Sequence, residues 1–366
     1  MRKILAITAA SVLALTMSGC GRSTEAAGGG TESGAAAEKG TIGVAMPTKT
    51  SQRWIKDGDY IKRELEGAGY KVNLQYANDD IPTQVTQVND MVTRANQVMV
   101  VASIDGTALA GVLKEAADAG VPVIAYDRLL RSTEAVDYYT TFDNLKVGEL
   151  QATSLVAGLE ASGVAKPWNV ELFAGSPDDN NATFFFNGAM TVLQPMIDSG
   201  DIVIPSGETD FKTVATLRWD AAVAKKRMEN VLTKSYSSTD VHGVLAPYDG
   251  LSRGIIAALK GSGYGSGEKQ LPVITGQDAE IESVKSILAG EQYSTVFKNT
   301  GDLAKATVKM IQEIAEGETV EVNDTESYDN GVKIVPTLLL EPVSVDAANV
   351  KQVLLDANYY TEADLS

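Results

Sequence analysis

Six short apolar runs in this chain each end on side chains that hydrogen-bond or carry charge. Lys49, Arg53 and Trp54 follow residues 41–46, and Asp127 and Arg128 follow residues 121–126. After residues 169–173 comes Gly175-Ser176-Pro177-Asp178-Asp179-Asn180-Asn181. Tyr248 and Asp249 follow residues 241–245, Gln277 and Asp278 follow residues 272–276, and Lys298 follows residues 294–297. Trp219 stands at a helix start in Leu217-Arg218-Trp219-Asp220. Taken singly, each has an ordinary role: an Asp before a helix caps it, and a strand-end Arg or Lys makes a surface ion pair worth little. Taken together, they are what the rims of two facing sheets would present to a ligand.

The charges in that set balance, Arg53, Arg128 and Lys298 against Asp127, Asp249 and Asp278. An anion site would show excess cations, and a polyamine site excess carboxylates. Balance together with Trp54 and Trp219 suits a neutral polyhydroxylated ligand. Carboxylates accept from its hydroxyls, Arg and Lys donate to its oxygens, and indole faces pack on its C–H surfaces. The competing enzymatic reading casts Asp127 and Asp249 as a glycosidase pair, which requires one carboxyl group held neutral. Each Asp is expected beside cations that keep it ionised, so the reading is a binding protein without a cofactor. Asp127→Ala is expected to abolish binding and leave the fold intact. His242 is the only histidine and Cys20 the only cysteine, which excludes His-based triads, multi-histidine metal sites, intrachain disulfides and zinc–thiolate sites. A formal net charge of −17 argues against nucleic acid and against electrostatic docking on anionic lipid.

The elements that must position these residues alternate. Apolar strand-like runs are separated by stretches of helical period, such as Leu109, Val112, Leu113 and Ala116, or Ala304, Val308, Ile311 and Ala315. Continuous apolar strands between helices mean parallel sheets covered on both faces. The folded length exceeds what one core usually holds. The expected fold class is therefore α/β, with two doubly wound parallel-sheet domains joined by a hinge that the chain crosses more than once. One domain is expected over residues 41–143 plus about 300–333, the other over 144–299 plus about 334–366.

The N-terminus reads as an export signal. Arg2 and Lys3 precede an apolar run over residues 4–15, too short to span a bilayer. Leu15-Thr16-Met17-Ser18-Gly19-Cys20 resembles a lipobox, which implies a signal peptide over residues 1–19 and lipidation of Cys20. Residues 20–40, rich in Gly, Ala, Ser, Thr and Glu, are expected to form a flexible stalk. The protein is then expected outside the cytoplasm, anchored to a membrane by its lipid.

From residue 41 to near 360 the chain resembles the periplasmic sugar-binding proteins of ABC transporters, in their multiple-monosaccharide and xylose-binding branch. The resemblance is carried by Met46-Pro47-Thr48 with Arg53-Trp54, Ala125-Tyr126-Asp127-Arg128, Thr141-Phe142-Asp143-Asn144, residues 175–182, Pro247-Tyr248-Asp249-Gly250 and Gly276-Gln277-Asp278-Ala279. It implies a type I periplasmic-binding-protein fold. It implies that Arg53 and Trp54 contact and stack on a sugar, and that Asp127 and Arg128 bind hydroxyls and the ring oxygen. By the same resemblance Asn180 or Asn181 reaches the ligand, Trp219 is the second stacking aromatic, Asp278 accepts from a hydroxyl, and Lys298 lies at the hinge. Relatives often carry Asn where this chain has Tyr248, which leaves the contact to Tyr248 or Asp249. The implied function is capture of an aldose and its delivery to an ABC permease. The alternative is presentation of the closed receptor to a chemoreceptor or sensor kinase, and the expected molecule is a monomer.

Overall fold

The computed structural model describes residues 39–267 and 269–365; the expected signal, Cys20 and almost all of the stalk lie outside them. The chain runs β1 (Thr41–Met46), α1 (Gln52–Gly67), β2 (Lys71–Tyr76), α2 (Ile81–Thr93), β3 (Val98–Val101), α3 (Ala110–Asp118), β4 (Val123–Tyr126) and β5 (Tyr138–Phe142). It continues through α4 (Asn144–Ala161), β6 (Trp168–Leu172), α5 (Asn180–Asp198), β7 (Ile202–Val203), α6 (Phe211–Val214) and α7 (Ala221–Ser235). Then come β8 (Gly243–Leu245), α8 (Asp249–Gly261), β9 (Val273–Ile274), α9 (Ile281–Leu288) and β10 (Ser294–Phe297). It closes with α10 (Thr300–Glu316), β11 (Thr337–Leu340), β12 (Val343–Asp346) and α11 (Val350–Asp356).

The first sheet has the order β11-β5-β4-β3-β1-β2, with every pair parallel. All four residues of β3 and of β4 are buried, because helices cover both faces. On one face Ile61 and Leu65 of α1 and Leu303, Val308 and Ile311 of α10 pack on Ile42, Val44 and Val100. On the other, Val88 and Met91 of α2 and Val112 and Leu113 of α3 pack on Met99, Val101 and Ala125. The second sheet has the order β7-β6-β8-β9, again parallel. Leu155 and Leu193 from α4 and α5 cover one face, and Met228 and Ile255 from α7 and α8 cover the other. In both sheets the strand order reverses beside a central strand, β1 in one and β6 in the other. Open α/β sheets bind ligands at such switch points, beyond the carboxyl ends of the strands.

Two features depart from the expected layout. β10 and β12 form a separate antiparallel pair in the second lobe, so that lobe is not purely parallel. The boundary expected near residue 333 is also displaced. Thr337–Leu340 pairs with Tyr139–Phe142 in the first sheet, so the last crossing falls between Leu340 and Val343. Apolar residues alone do not reveal which of two sheets a strand joins, since both offer the same environment. The chain thus passes between the lobes after β5, after β10 and after β11.

Candidate functional site

A cavity of about 550 Å³ lies where the carboxyl ends of the two sheets face each other. Of the residues singled out from the sequence, Arg53, Trp54, Asp127, Arg128, Asn181, Trp219, Tyr248 and Asp278 line it. Asn180, Asp249 and Lys298 do not.

Arg53 organises the first wall. It sits in the first turn of α1, 3% exposed, and meets three carboxylates. Its Nε donates to Asp57 Oδ2 at 2.9 Å, its Nη2 lies 2.9 Å from Asp127 Oδ2, and its Nη1 lies 3.5 Å from Asp278 Oδ1 across the cleft. Burial opposes the guanidinium's charge, but these carboxylates more than offset it and hold Arg53 well above its ordinary pKa. Behind it Tyr126 donates to Asp57 Oδ1 at 2.5 Å. Burial, only partly offset by Arg53, pushes the Asp57 carboxyl up to about 6. The Arg53 and Arg128 guanidinium groups lie 4.6 and 5.0 Å from the Trp54 ring centre. Arg128 reaches across the cleft, its Nε 3.0 Å from Asp179 Oδ2.

Asp127 occupies the left-handed region at φ 57°. Its carbonyl accepts from Tyr139, Thr141 and Asn181 at 2.5, 3.0 and 2.7 Å, which fixes that conformation. Burial would raise the Asp127 carboxyl, but Arg53, Lys298 and Arg128 hold it below the usual carboxylate value. Lys298, 2% exposed, lies behind the lining at the crossing from β10 to α10. Its Nζ is 3.2 Å from Asp278 Oδ1 and 3.8 Å from Asp127 Oδ2, so it bridges carboxylates of both walls.

The second wall is built around Trp219, whose Nε1 donates to Asp179 Oδ2 at 3.2 Å. Its ring meets Phe185 and Tyr248 edge-on, with centroids 6.3 and 6.1 Å away. A Cβ on Gly175 would come within 1.9 Å of the indole, so only glycine leaves room for it. Arg218 and Trp219 have φ of 58° and 56°. Two consecutive non-glycine residues in that region, one of them an indole, store strain, as functional sites often do. The turn is held by Ser176 Oγ, which accepts from the Arg218 N–H at 2.7 Å and donates to Asp178.

Several polar atoms beside the cavity lack a hydrogen bond, although all but Gln277 Oε1 take part in ion pairs. Arg53 Nη2, Asp127 Oδ2, Gln277 Oε1, Asp278 Oδ1 and Arg218 Nη1 are buried without a hydrogen bond of good geometry. Arg53 Nη2 and Asp127 Oδ2 face each other as an ion pair whose angle makes no hydrogen bond. Buried polar groups are otherwise almost always hydrogen-bonded, so these atoms keep hydrogen-bonding capacity that the chain itself does not use. Among the described residues no group of three or more His, Cys, Asp or Glu is placed to hold a metal ion.

Asp249 corrects the sequence reading. It is 0% exposed, with Oδ2 accepting from the Glu280 N–H and Oδ1 from Gln292 Nε2, both at 2.8 Å. No cation makes an ion pair with it among the described residues, and burial, with Glu280 adding, pushes it up to about 8. The expectation that every Asp of the set has a cationic neighbour therefore fails here. Even Gly276 is required behind it, since a Cβ there would lie 2.1 Å from Asp249 Oδ1. Of the open alternatives, Tyr248 and Asn181 line the cavity, while Asp249 and Asn180 do not. The sequence reading did not single out Asp57, Asp179, Ser51, Arg218, Arg253 or Glu280. Asp57 carried a signal in its i+4 spacing from Arg53 on one helix, and Asp179 lay within the polar loop already noted. Removing Asp249 and adding Asp57 and Asp179 leaves the charges near balance.

The comparisons agree with this geometry. A family model described as a periplasmic binding protein domain matches residues 42–319. The multiple sugar-binding periplasmic receptor ChvE of Rhizobium radiobacter is 58% identical over 325 residues, covering 89% of this chain and 92% of the relative. The D-xylose-binding periplasmic protein of Escherichia coli K12 is 36% identical over 324 residues, covering 88% and 92%. Among solved structures, an ABC transporter solute-binding protein from Clostridium phytofermentans with bound β-D-glucose is 44% identical. It superposes with a TM-score of 0.85 over 89% of this chain and 100% of that one. With this fold, this cleft and these relatives, the chain belongs to the periplasmic-binding-protein family of extracytoplasmic solute receptors.

Proposed function

We propose that the cavity captures a neutral aldose, such as glucose, galactose, xylose or arabinose, for delivery to an ABC permease. The observation that carries this reading is the set of buried donors and acceptors without a hydrogen bond beside a near-neutral cavity flanked by Trp54 and Trp219. Asp127 Oδ2 and Asp278 Oδ1 would accept from sugar hydroxyls, Arg53 Nη2 and Arg128 would donate to hydroxyl or ring oxygens, and the indoles would cover C–H faces. Sugars named for the multiple sugar-binding, xylose-binding and glucose-bound relatives support the ligand class.

The two lobes act as domains, residues 41–143 with about 300–340 and residues 144–299 with about 341–365. Sugar bound by one wall draws in the other, and contacts made to both walls supply the differential affinity that favours closure. Cys20 would carry the lipid that keeps the receptor beside its permease, and the protein would act as a monomer. Titration calorimetry over a monosaccharide panel, after unfolding and refolding to strip carried ligand, tests the reading. Heat with aldoses and none with amino acids or polyamines is the expected result, and silence toward every sugar overturns it.

A further inference from the structure

Three helix N-cap residues converge at one edge of the cavity, and none of them caps its own helix. Ser51 precedes α1 in the first lobe, Tyr248 precedes α8 and Glu280 precedes α9 in the second, and none of these side chains makes a capping bond. Ser51 is the notable case. Serine is among the best N-caps, and its backbone already has the extended capping conformation at φ −93°, ψ 131°. Its hydroxyl is turned away and donates to Glu280 Oε1 across the cleft at 3.0 Å. The same oxygen accepts from Tyr248 at 2.7 Å, while Glu280 Oε2 takes Arg253 Nη2 at 2.6 Å. Glu280 is 3% exposed and does not line the cavity. The turn leading to it is strained, with Asp278 and Ala279 at φ of 87° and 46°.

We propose that Ser51 is a two-position closure latch: it donates to Glu280 when the lobes are together and caps helix α1 when they part. In the parted state Glu280 keeps Tyr248 and Arg253, both from its own lobe. The hydroxyl of Ser51 becomes free to accept from the Trp54 N–H, the position an N-cap serine serves. The cap gained on opening offsets only part of the bond lost to Glu280, because a bond to a charged carboxylate outweighs a neutral cap. The latch therefore biases the lobes modestly towards the closed state and slows escape of a bound ligand.

The proposal rests on the sugar-capture reading, and its test separates the two. Sugar association and dissociation are followed by intrinsic tryptophan fluorescence on the full chain, first without substitution. Ser51→Ala is expected to raise the dissociation rate about fivefold and leave association nearly unchanged. Ser51→Asp caps α1 well and repels Glu280, so dissociation should quicken by about tenfold or more. The decisive arm is the double variant Ser51→Asp with Glu280→Gln. The amide introduced at position 280 can turn, offering its oxygen to Arg253 and its nitrogen to the carboxylate introduced at position 51. That restores the cross-cleft bond with reversed polarity and brings dissociation back towards the parent rate. A lost sugar contact at Ser51 would not be rescued at Glu280, so a double variant no slower than Ser51→Asp overturns the latch. An unchanged dissociation rate in Ser51→Ala overturns it as well. If the parent chain binds no sugar, the capture reading fails. The latch then stands or falls on small-angle scattering without sugar, where Ser51→Asp should enlarge the radius of gyration and an equal radius refutes it.

Discussion

Asp127→Asn changes one atom of the chain in its most connected carboxylate, and two separable effects follow. The carboxylate lies 2.9 Å from Arg53 Nη2 and 3.8 Å from Lys298 Nζ, and all three side chains are nearly inaccessible to solvent. Removing one partner of a buried ion pair costs about 3–5 kcal/mol. Arg53 keeps Asp57 and Asp278, and Lys298 keeps Asp278, so the lower end applies, about 3 kcal/mol. At roughly 2–4 °C per kcal/mol for lobes of this size, the sugar-free Tm should fall by about 6–12 °C. The fold-neutral outcome expected from the sequence for loss of this Asp is therefore revised. Binding should suffer separately, because a charge-assisted bond from a sugar hydroxyl to Oδ2 contributes about 1.5–3 kcal/mol, or about tenfold to 150-fold in affinity.

The pH dependence supplies a further check. Cations hold the Asp127 pKa below its unfolded value, so its stabilisation is present above the unfolded pKa and is lost as pH falls towards the folded one. Asp127→Asn should remove that part of the acid sensitivity. Calorimetric titration with glucose and xylose at neutral pH, paired with thermal unfolding without sugar across the acid range, reads all three effects. An affinity within about threefold of the parent, whatever happens to Tm, would refute Asp127 as a ligand contact.

Asp249→Asn should leave sugar affinity within about threefold of the parent, and titration calorimetry showing lost binding would return Asp249 to the site. Because the folded-state pKa of Asp249 is raised from 3.8 to about 8, the folded chain holds a proton that the unfolded chain has released, and stability falls as pH rises through that window. Thermal unfolding at several pH values should show that slope shallower in Asp249→Asn. Trp219→Ala removes an aromatic wall, and affinity should drop about tenfold, from roughly 1.5 kcal/mol of lost packing; equal affinity by calorimetry would make the indole purely structural. Cys20→Ala should move the protein from the membrane fraction to the soluble fraction with sugar affinity unchanged, as immunoblotting and calorimetry would read.

What the sequence made legible follows from what a sequence encodes locally. The run Thr41–Met46 and the polar residues just beyond it could be read because strand periodicity and strand-end placement are properties of neighbouring residues. Arg53, Trp54, Asp127, Arg128 and Asp278 line the cavity for that reason. Asp249 directly follows Tyr248 and reads the same way, yet it starts α8 with its carboxyl turned into the protein interior. One step along a helix start turns a side chain from the cleft to the core, and residue type does not record which. The left-handed backbone at Arg218 and Trp219 was equally silent, since neither residue type signals that conformation. Membership of β11 in the first sheet depends on pairing with β5, almost two hundred residues earlier in the chain, and no local pattern carries it.

The contrast among three buried aspartates explains how the walls can part. Asp127 has cations on several sides and stays ionised, Asp57 has Arg53 and sits at about 6, and Asp249 has no ion-pair partner among the described residues and rises to about 8. Burial is common to all three, so the supply of cations separates them. Three cationic contacts join the walls: Arg53 to Asp278 and Arg128 to Asp179 cross the cleft, and Lys298 to Asp127 spans the hinge. Opening breaks the first two, but Arg53 keeps Asp57 and Asp127 within its own wall, and Asp278 keeps Lys298 at the hinge. The groups that separate are rehydrated as they part, and the desolvation cost of a buried pair roughly cancels its attraction. The cross-cleft pairs therefore fix how the walls register against each other while contributing little net energy to closure. That leaves most of the closing free energy to contacts that exist only when both walls touch one ligand, which is the condition for a receptor whose closure reports capture.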